Sequence, residues 1–565
     1  MSRTVAIGIQ DFETIIENDY FYVDKTDFIR QWWDGGDAVT LITRPRRFGK
    51  TLLLNTVDRF FSNQYEDQGK YFEGLSVWED EKLRSLQGTL PVIFLSFADV
   101  KQTTYEGAIK QMKLLINELY QKFSFLIESS AISENERKRI EAYASYSGDL
   151  SEENISGSLR FLASLLYQHY GQKAVILLDE YDTPMQEAYV SGYWEEIVRL
   201  LRSLFNSTFK TNPYMSRALM TGITRVSRES MFSDLNNLKV VSTTTGNYET
   251  AFGFTETEVY AAMDEYGFDA EAKAGVKQWY DGFTFGNVSN IYNPWSIINY
   301  LQTREFGPYW SNTSGNALAS KLIREGDVEL KQEFEDLLQG GTIISKIDEQ
   351  IVFDEISDKP GSIWSLLLAS GYLKLVNKKG DAWNGWDYEL ALTNLEVRLS
   401  FSDMVSRWFG KAESAYNQFT KALLKGDLEY MNHYMNLISE ATFSSFDTGN
   451  RPSDKAQPER FYHGFVLGLI ADLRSRYYIT SNRESGLGRY DVMLEPLDTA
   501  NDDAVIIEFK VRDPKKETSL EDTVTSALSQ VKDKHYARTL MDRGIPEDRI
   551  RCYGFAFEGK TVLIG

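Results

Sequence analysis

Short, unbroken apolar runs alternate with amphipathic stretches along the first 250 residues or so. "AVTLIT" (38–43), "PVIFLSFA" (91–98), "AVILLDE" (174–180) and "RALMTGI" (217–223) are too short for buried helices. Runs of that kind, separated by helical patterns, predict strands covered on both faces in a parallel sheet. The helices fall between them, as in "TLLLNTVDRFFS" after the first run and "TYEGAIKQMKLLINELYQKF" after the second. Near residue 255 the rhythm changes. Thr255 with Glu258 three positions on, in "TETEVYAAMDEYG", predicts a capped helix start. "WYDGFTFGN" and "IYNPWSIINYL" read as aromatic-rich loops, the second turning into an amphipathic helix. A helical and mixed stretch then runs to about 445. "SFDTGNRPSDKAQPE" (445–459) is polar with two prolines and predicts a linker. Beyond it comes a helix, "ERFYHGFVLGLIADL", then strands at "YYITSNRE", "RYDVML" and "AVIIEFKV". A second helix, "LEDTVTSALSQVKDKHYA", precedes final strands near "RCYGFAFEG" and "TVLIG". The expected division is 1–255, 256–445 and 455–565.

Composition narrows the class. A chain of 565 residues predicts two to four domains, and 42% hydrophobic with 13% aromatic residues can fill them. No apolar stretch approaches the ~18 residues of a membrane span, and the N-terminus lacks the pattern of a secretory signal. One cysteine, Cys552, and four histidines at 169, 433, 463 and 535 exclude a disulfide framework and a cysteine-cluster or histidine-rich metal site. The expectation is a soluble, cytoplasmic protein without a membrane partner. Nothing in the pattern sets an oligomeric state. The net charge of −21 opposes broad binding to a polyanion. The charge is uneven, however: residues 455–565 carry 17 Lys+Arg against 18 Asp+Glu. Any nucleic-acid partner therefore belongs with this last segment.

"RPRRFGKT" (44–51) lies between the first apolar run and its helix. Gly49, Lys50 and Thr51 end it in the order of a phosphate loop, where backbone N–H groups face phosphate oxygens. Gly49 lets the backbone approach, Lys50 reaches the terminal phosphates and Thr51 is the expected Mg²⁺ ligand. Arg44 stands where the general pattern has glycine, so a helix N-terminus with solvated basic residues remains the rival reading of the string alone. The end of "AVILLDEYD" supplies a second half-site. Asp179 can hold Mg²⁺ through water and Glu180 can polarise an attacking water, at the strand ends where open α/β sheets bind ligands. After "RALMTGI", Arg225, together with Thr224 and Arg228, is a candidate sensor of the terminal phosphate or an ordinary surface group.

In the tail, period-two alternation puts Glu508 and Lys510 of "AVIIEFKV" on one strand face and Phe509 on the other. Asp491 of "GRYDVMLEP" lies beside them if the two strands form a hairpin. Two carboxylates and a lysine on one face suit a Mg²⁺-dependent phosphodiester hydrolysis. An exposed strand carrying solvated charges would show the same letters, but the apolar "VII" before Glu508 indicates burial. Trp32, Trp33, His463, His535 and Cys552 read as packing residues.

"YFYVDKTDFI", "RPRRFGKTLLLN", "ILLDEYDTP", "TGITRVSRESMFSDLNNL" and "YDGFTFG…IYNPWSIINYL" resemble the AAA-ATPase-like family over roughly residues 4–300. The resemblance implies ATP and Mg²⁺ as cofactors, a nucleotide held by Arg44, Pro45, Arg46, Arg47, Phe48, Gly49, Lys50, Thr51, Asp179 and Arg225, and Arg44 as a family variant. "ERFYHGFVLGLI", "ESGLGRYDVML", "IIEFK" and "ALSQVKDKHYA" resemble the PD-(D/E)XK nuclease superfamily. That likeness implies Asp491 and Glu508 as metal ligands, Lys510 as base or charge stabiliser, Glu459 as auxiliary acid and Gln530 as support. Tyr490 stands where the superfamily's name has proline. The expected fold is α/β: an N-terminal P-loop NTPase with its parallel sheet flanked by helices, a mostly helical middle, and a C-terminal restriction-endonuclease-like domain. The expected function is an ATPase coupled to a nuclease acting on nucleic acid, DNA ahead of RNA. The alternative is a nucleotide-dependent switch whose tail binds nucleic acid or protein without cutting.

Overall fold

The computed structural model describes residues 2–146, 150–225, 232, 235–311, 322–323, 328–347, 361–381, 385–408, 413–442, 466–467, 470, 473, 476–481, 484–485, 488–489, 491–499, 501–559 and 561–565. The chain forms two compact units, one of residues 1–319 with 344–397 and one of 320–343 with 398–565. The middle stretch, 256–445, contributes to both.

The first unit is built on five parallel strands: β1 (Val39–Thr43), β2 (Val92–Ser96), β3 (Ala174–Asp179), β4 (Met215–Gly222) and β5 (Leu238–Val241), in the spatial order β2-β3-β4-β1-β5. Every residue of β1 and β3 is buried, as continuous apolar runs require of a sheet covered on both faces. Each such aliphatic side chain contributes roughly 1.5–3 kcal/mol on burial. The helix α1 (Lys50–Phe61) leaves β1 through the loop 44–49, and α2 (Glu152–Tyr170), with a capping box at Ser151 and Asn154, leads into β3. Strand β5 escaped the sequence pattern because it is four residues long and only Val241 is buried. Pairing of Thr43 with Gly222 and of Ser96 with Asp179 sets the carboxyl ends of the strands level. That edge carries the chemistry.

Thr255 and Glu258 form the expected capping box. The aromatic stretch after it departs from expectation. Residues 281–285 and 288–292 are paired strands, not loop, turning at Gly286 with φ of +56°. Phe283 and Phe285 alternate inward along the first strand and pack edge-to-face against Phe48 of the phosphate loop. Trp32 and Trp33 are packing residues: Trp33 stacks on Phe61 at 4.8 Å, and Trp32 is fully buried.

The second unit holds another sheet, β6 (Tyr477–Ser481), β7 (Val492–Pro496), β8 (Ala504–Val511), β9 (Ile550–Glu558) and β10 (Thr561–Ile564), adjacent in that order. Only β8 and β9 run parallel. The two faces of β8 serve different cores. Val505, Ile507 and Phe509 join Phe419, Leu423 and Met431 from the helices Glu413–Lys425 and Leu428–Thr442. Ala504 and Ile506 face Val531 of α3 (Leu520–Asp533) and Tyr536. The free edge of β10 is closed by side-chain amides one helical turn apart. Asn432 and Asn436 exchange hydrogen bonds of 2.7–2.9 Å with the main chain of Ile564 and Val562. An edge that could pair with another chain is thereby satisfied.

Candidate functional site

The phosphate loop is shaped by two left-handed residues, Arg47 (φ +64°) and Gly49 (φ +81°), before α1 starts at Lys50. Glycine takes that conformation freely, whereas Arg47 carries strain of about 1–3 kcal/mol that the surroundings must hold. They do so from behind. Phe48 is buried against Phe283 and Phe285, and Gly253 has no room for a side chain, since a Cβ would lie 2.9 Å from the Phe48 ring. Pro45 is buried, and Arg46 reaches Gln186 at 3.4 Å.

Arg44, expected among the nucleotide-binding residues, turns its side chain away from the loop's ligand side. Its guanidinium is fully buried, donates to the carbonyls of Thr43 (2.9 Å), Ser242 (2.7 Å) and Asn247 (3.3 Å), and lies over the Phe285 ring at 4.5 Å. Burial pushes its pKa down to about 9 against the pull of Glu249. Arginine here is a buried bracket that ties the loop to the turn after β5. Glycine could not do this.

Lys50 is also buried, and its ammonium donates to the carbonyls of Arg44 (2.9 Å) and Pro45 (2.8 Å). Burial lowers its pKa to about 8, opposed by Glu180, Asp179 and Asp182. Thr51 donates its hydroxyl to Asp179 Oδ2 at 2.7 Å, and Thr221 of β4 donates to Oδ1 at 2.5 Å. Burial raises the Asp179 pKa, and these two hydroxyls oppose the rise. Thr51 and Asp179, both expected at the metal, therefore meet at one point beside Lys50. A hydroxyl and a carboxylate together fit Mg²⁺, which binds few protein oxygens and keeps water and phosphate as its remaining ligands.

Glu180 takes φ of +49°, an uncommon state for a glutamate, and accepts from the Thr183 hydroxyl at 3.1 Å. It borders a cavity of about 360 Å³ together with Arg46, Arg47, Lys50, Thr51 and Lys101. Five cations, counting Lys25, face this cavity against one carboxylate, in a chain of net charge −21. Such a lining fits a polyanion small enough to be enclosed. Arg225 follows β4 but does not border the cavity, and Arg228 lies outside the described residues.

Two residues of this edge were missed in the sequence. Asp182 is buried, and its Oδ2 accepts from the Thr224 amide and hydroxyl, both at 2.8 Å, and from the Ile223 amide at 3.1 Å. It binds the end of β3 to the end of β4. Its signal was the third acid of "LLDEYD". Lys101 gave no signal, because only the pairing of β2 with β3 brings its turn to the cavity.

In the second unit, the hairpin of β7 and β8 puts Asp491 beside Glu508, as the spacing anticipated. Asp491 Oδ2 accepts from the Phe509 amide at 2.8 Å. Glu508 is buried and accepts from the Gln530 amide of α3, and Gln530 Oε1 accepts from Lys510 at 2.8 Å. Gln530 thus bridges the acid and the base across one strand face. Glu459 lies outside the described residues. Among the described residues no group of three or more His, Cys, Asp or Glu side chains could hold a metal. Two carboxylates nevertheless suit Mg²⁺, whose other positions go to water and phosphate. Cys552 sits half-buried at the edge of the core below α3. Among the described residues no helix is long and apolar enough to cross a membrane.

Three comparisons bear on these sites. An uncharacterised protein in the vnfD 5' region of Azotobacter chroococcum mcd 1 is 27% identical over 97% of this chain and 95% of its own length. A Pyrococcus horikoshii signal transduction ATPase with numerous domains, bearing a tetratricopeptide repeat sensor, aligns at 13% identity with a TM-score of 0.26, covering 80% of this chain. This chain spans 54% of that structure, and the fold rests on the observed strand order, not on that likeness. Residues 6–232 match the family described as "Predicted AAA-ATPase", and residues 457–565 match the PD-(D/E)XK nuclease superfamily. The protein thus carries an AAA-ATPase-like domain and a C-terminal PD-(D/E)XK nuclease superfamily domain.

Proposed function

We propose that the first unit binds and hydrolyses ATP with Mg²⁺, and that the second is a Mg²⁺-dependent phosphodiesterase acting on nucleic acid under nucleotide control. The observation that carries the first half is the meeting of Thr51, Asp179 and Lys50 at a cation-rich cavity. Lys50 supplies the charge for the terminal phosphates, exchanging two carbonyl acceptors for phosphate oxygens. Glu180 accepts the proton of the attacking water. Thr51 and Asp179 would hold Mg²⁺, which when bound would neutralise charge on the phosphates.

The second half rests on the bridged set of Glu508, Gln530 and Lys510 with Asp491 alongside. Asp491 and Glu508 would hold the metal, which lowers the pKa of bound water. Lys510 stabilises the charge on the attacked phosphate, and Gln530 keeps acid and base in register. DNA in the cytoplasm is the substrate to try first, and the near-neutral tail is the part of the chain that repels a polyanion least.

The test is incubation of pure protein with plasmid and single-stranded DNA and with RNA, in Mg²⁺, with and without ATP. Cleavage that depends on Mg²⁺ and changes with ATP supports the reading. Binding without cleavage, altered by ATP, supports the alternative of a nucleotide-dependent switch.

A further inference from the structure

The chain from Asn293 to Trp310 grips the phosphate loop at three points. Asn293 Nδ2 (3.3 Å) and Trp310 Nε1 (2.9 Å) both donate to the Arg46 carbonyl, and the Arg47 guanidinium lies over the Trp295 ring at 4.3 Å. A trans peptide points its C=O and the next N–H in opposite directions. Fixing the Arg46 carbonyl on these two donors therefore fixes the Arg47 amide on the loop's other side. Backbone amides so aimed are what a phosphate loop offers its ligand.

The two donors are held by one residue. Glu396 is fully buried; its Oε2 accepts from Ser296 Oγ at 2.8 Å, and its Oε1 accepts from the amides of Trp310 (2.5 Å) and Ser311 (3.4 Å). Ser296 lies in the first turn of the helix Pro294–Thr303, whose N-cap is Asn293. One carboxylate thus ties together both ends of the segment that clasps Arg46. Its partners are neutral donors, and burial pushes the carboxyl up to about 7. A group that costs this much to bury needs a return beyond packing, and holding two separated donors on one carbonyl is such a return.

We propose that Glu396 is a positioning residue for nucleotide binding, acting through Ser296 and Trp310 to hold Asn293 and Trp310 on the Arg46 carbonyl. The inference rests on ATP binding at the phosphate loop. The test is calorimetric ATP affinity of the wild type, Glu396→Gln, Trp310→Phe and the double variant, at a temperature where near-ultraviolet circular dichroism shows native packing. Glu396→Gln keeps the size but replaces an acceptor with a donor. Trp310→Phe removes the Nε1–H together with part of a buried ring that packs on Phe283 and Tyr372, so its stability is measured alongside its affinity. Each should weaken ATP about tenfold, or 1.4 kcal/mol. The double variant should lose no more than about the larger single loss, because both act on one carbonyl. KM for ATP should rise while kcat is kept. Unchanged affinity in folded Glu396→Gln, or single losses that multiply in the double, overturns the proposal. If Glu396→Gln does not fold, Trp310→Phe alone decides, and unchanged affinity there overturns it. Failure of the underlying reading looks different: the wild type itself would not bind ATP.

Discussion

Lys50 and Lys510 each sit near acids, yet the protein secures them by different means. Lys50 is buried and donates to two main-chain carbonyls of its own loop. Lys510 donates to a side-chain amide, Gln530, which in turn donates to Glu508. The first arrangement is set by the path of the backbone, so it depends on whatever supports that path. The second is set by strand register and by the docking of α3, so it depends on each of its side chains. Damage should therefore spread differently: through the loop's supports in the first unit, and through the named polar groups in the second.

The largest effects test the side-chain-bridged site. Asp491→Ala, which removes a metal ligand, and Lys510→Ala, which removes the charge stabiliser, should each lower Mg²⁺-dependent cleavage by at least ~10²–10³-fold, the range for loss of one group that stabilises transition-state charge. Asp491→Ala should keep or strengthen DNA binding, because one negative charge near the phosphate is gone. Gln530→Ala should fall between these variants and the wild type, since it removes the bridge but no charged group. Gel assays on single- and double-stranded substrates check this order. Equal cleavage by all of them would place the chemistry elsewhere. In the first unit, Glu180→Gln should hydrolyse ATP more slowly by ~10²–10⁴-fold, the range for loss of a general base, while binding it with unchanged affinity. A wild-type rate in that variant would separate Glu180 from the attacking water.

How much of each site was legible depends on the same contrast. The order of Gly49, Lys50 and Thr51 encodes a local backbone path, so a contiguous string revealed it. Asp491, Glu508 and Lys510 were legible because alternation fixes the face of Glu508 and Lys510, and a short connection invites a hairpin. What stayed hidden depends on non-local packing. Lys101 reaches the cavity only because β2 lies beside β3, and strand order is not written in local periodicity. The hairpin over 281–292 looked like loop because its aromatic residues are crowded with glycine and polar residues, yet its inward phenylalanines support Phe48. The face of β8 opposite α3 is covered by helices before residue 445, so the apparent linker does not mark the edge of the second unit.

Arg44 gives the sharpest case, and a test of intermediate size. Arg44→Gly would restore the general phosphate-loop pattern, yet it removes a buried guanidinium from three carbonyls and from the Phe285 ring. The expected result is a loss of about 3 kcal/mol or more, from unsatisfied carbonyls plus a cavity, read in urea unfolding of the whole chain. Arg44→Lys should recover only part, because one ammonium cannot span the guanidinium's acceptors. A neutral Arg44→Gly would mean the loop keeps its path without the bracket, and the contrast between the two lysine sites would fail.

The smallest effect concerns the charge on Lys50. Its pKa without nucleotide is about 8, below the ordinary 10.5, because burial disfavours the ammonium. This is a lysine whose folded pKa is lowered, so the folded chain releases its proton while the unfolded chain still holds one. Between pH 8 and 10.5 the unfolded state binds more protons, and the Lys50 contribution to folding stability rises with pH. Triphosphate oxygens favour the ammonium and raise this pKa, so the sign for ATP binding is opposite. Well below pH 8 the lysine is already charged and adds no pH dependence to the affinity. Above it, binding must take up a proton, and affinity should fall by at most about tenfold, or 1.4 kcal/mol, per pH unit. Calorimetry in two buffers of different ionisation enthalpy measures the proton uptake directly. Lys50→Met should remove both the uptake and the slope, while Lys510→Met should change neither. A slope that survives in Lys50→Met would assign the proton to another group at the cavity.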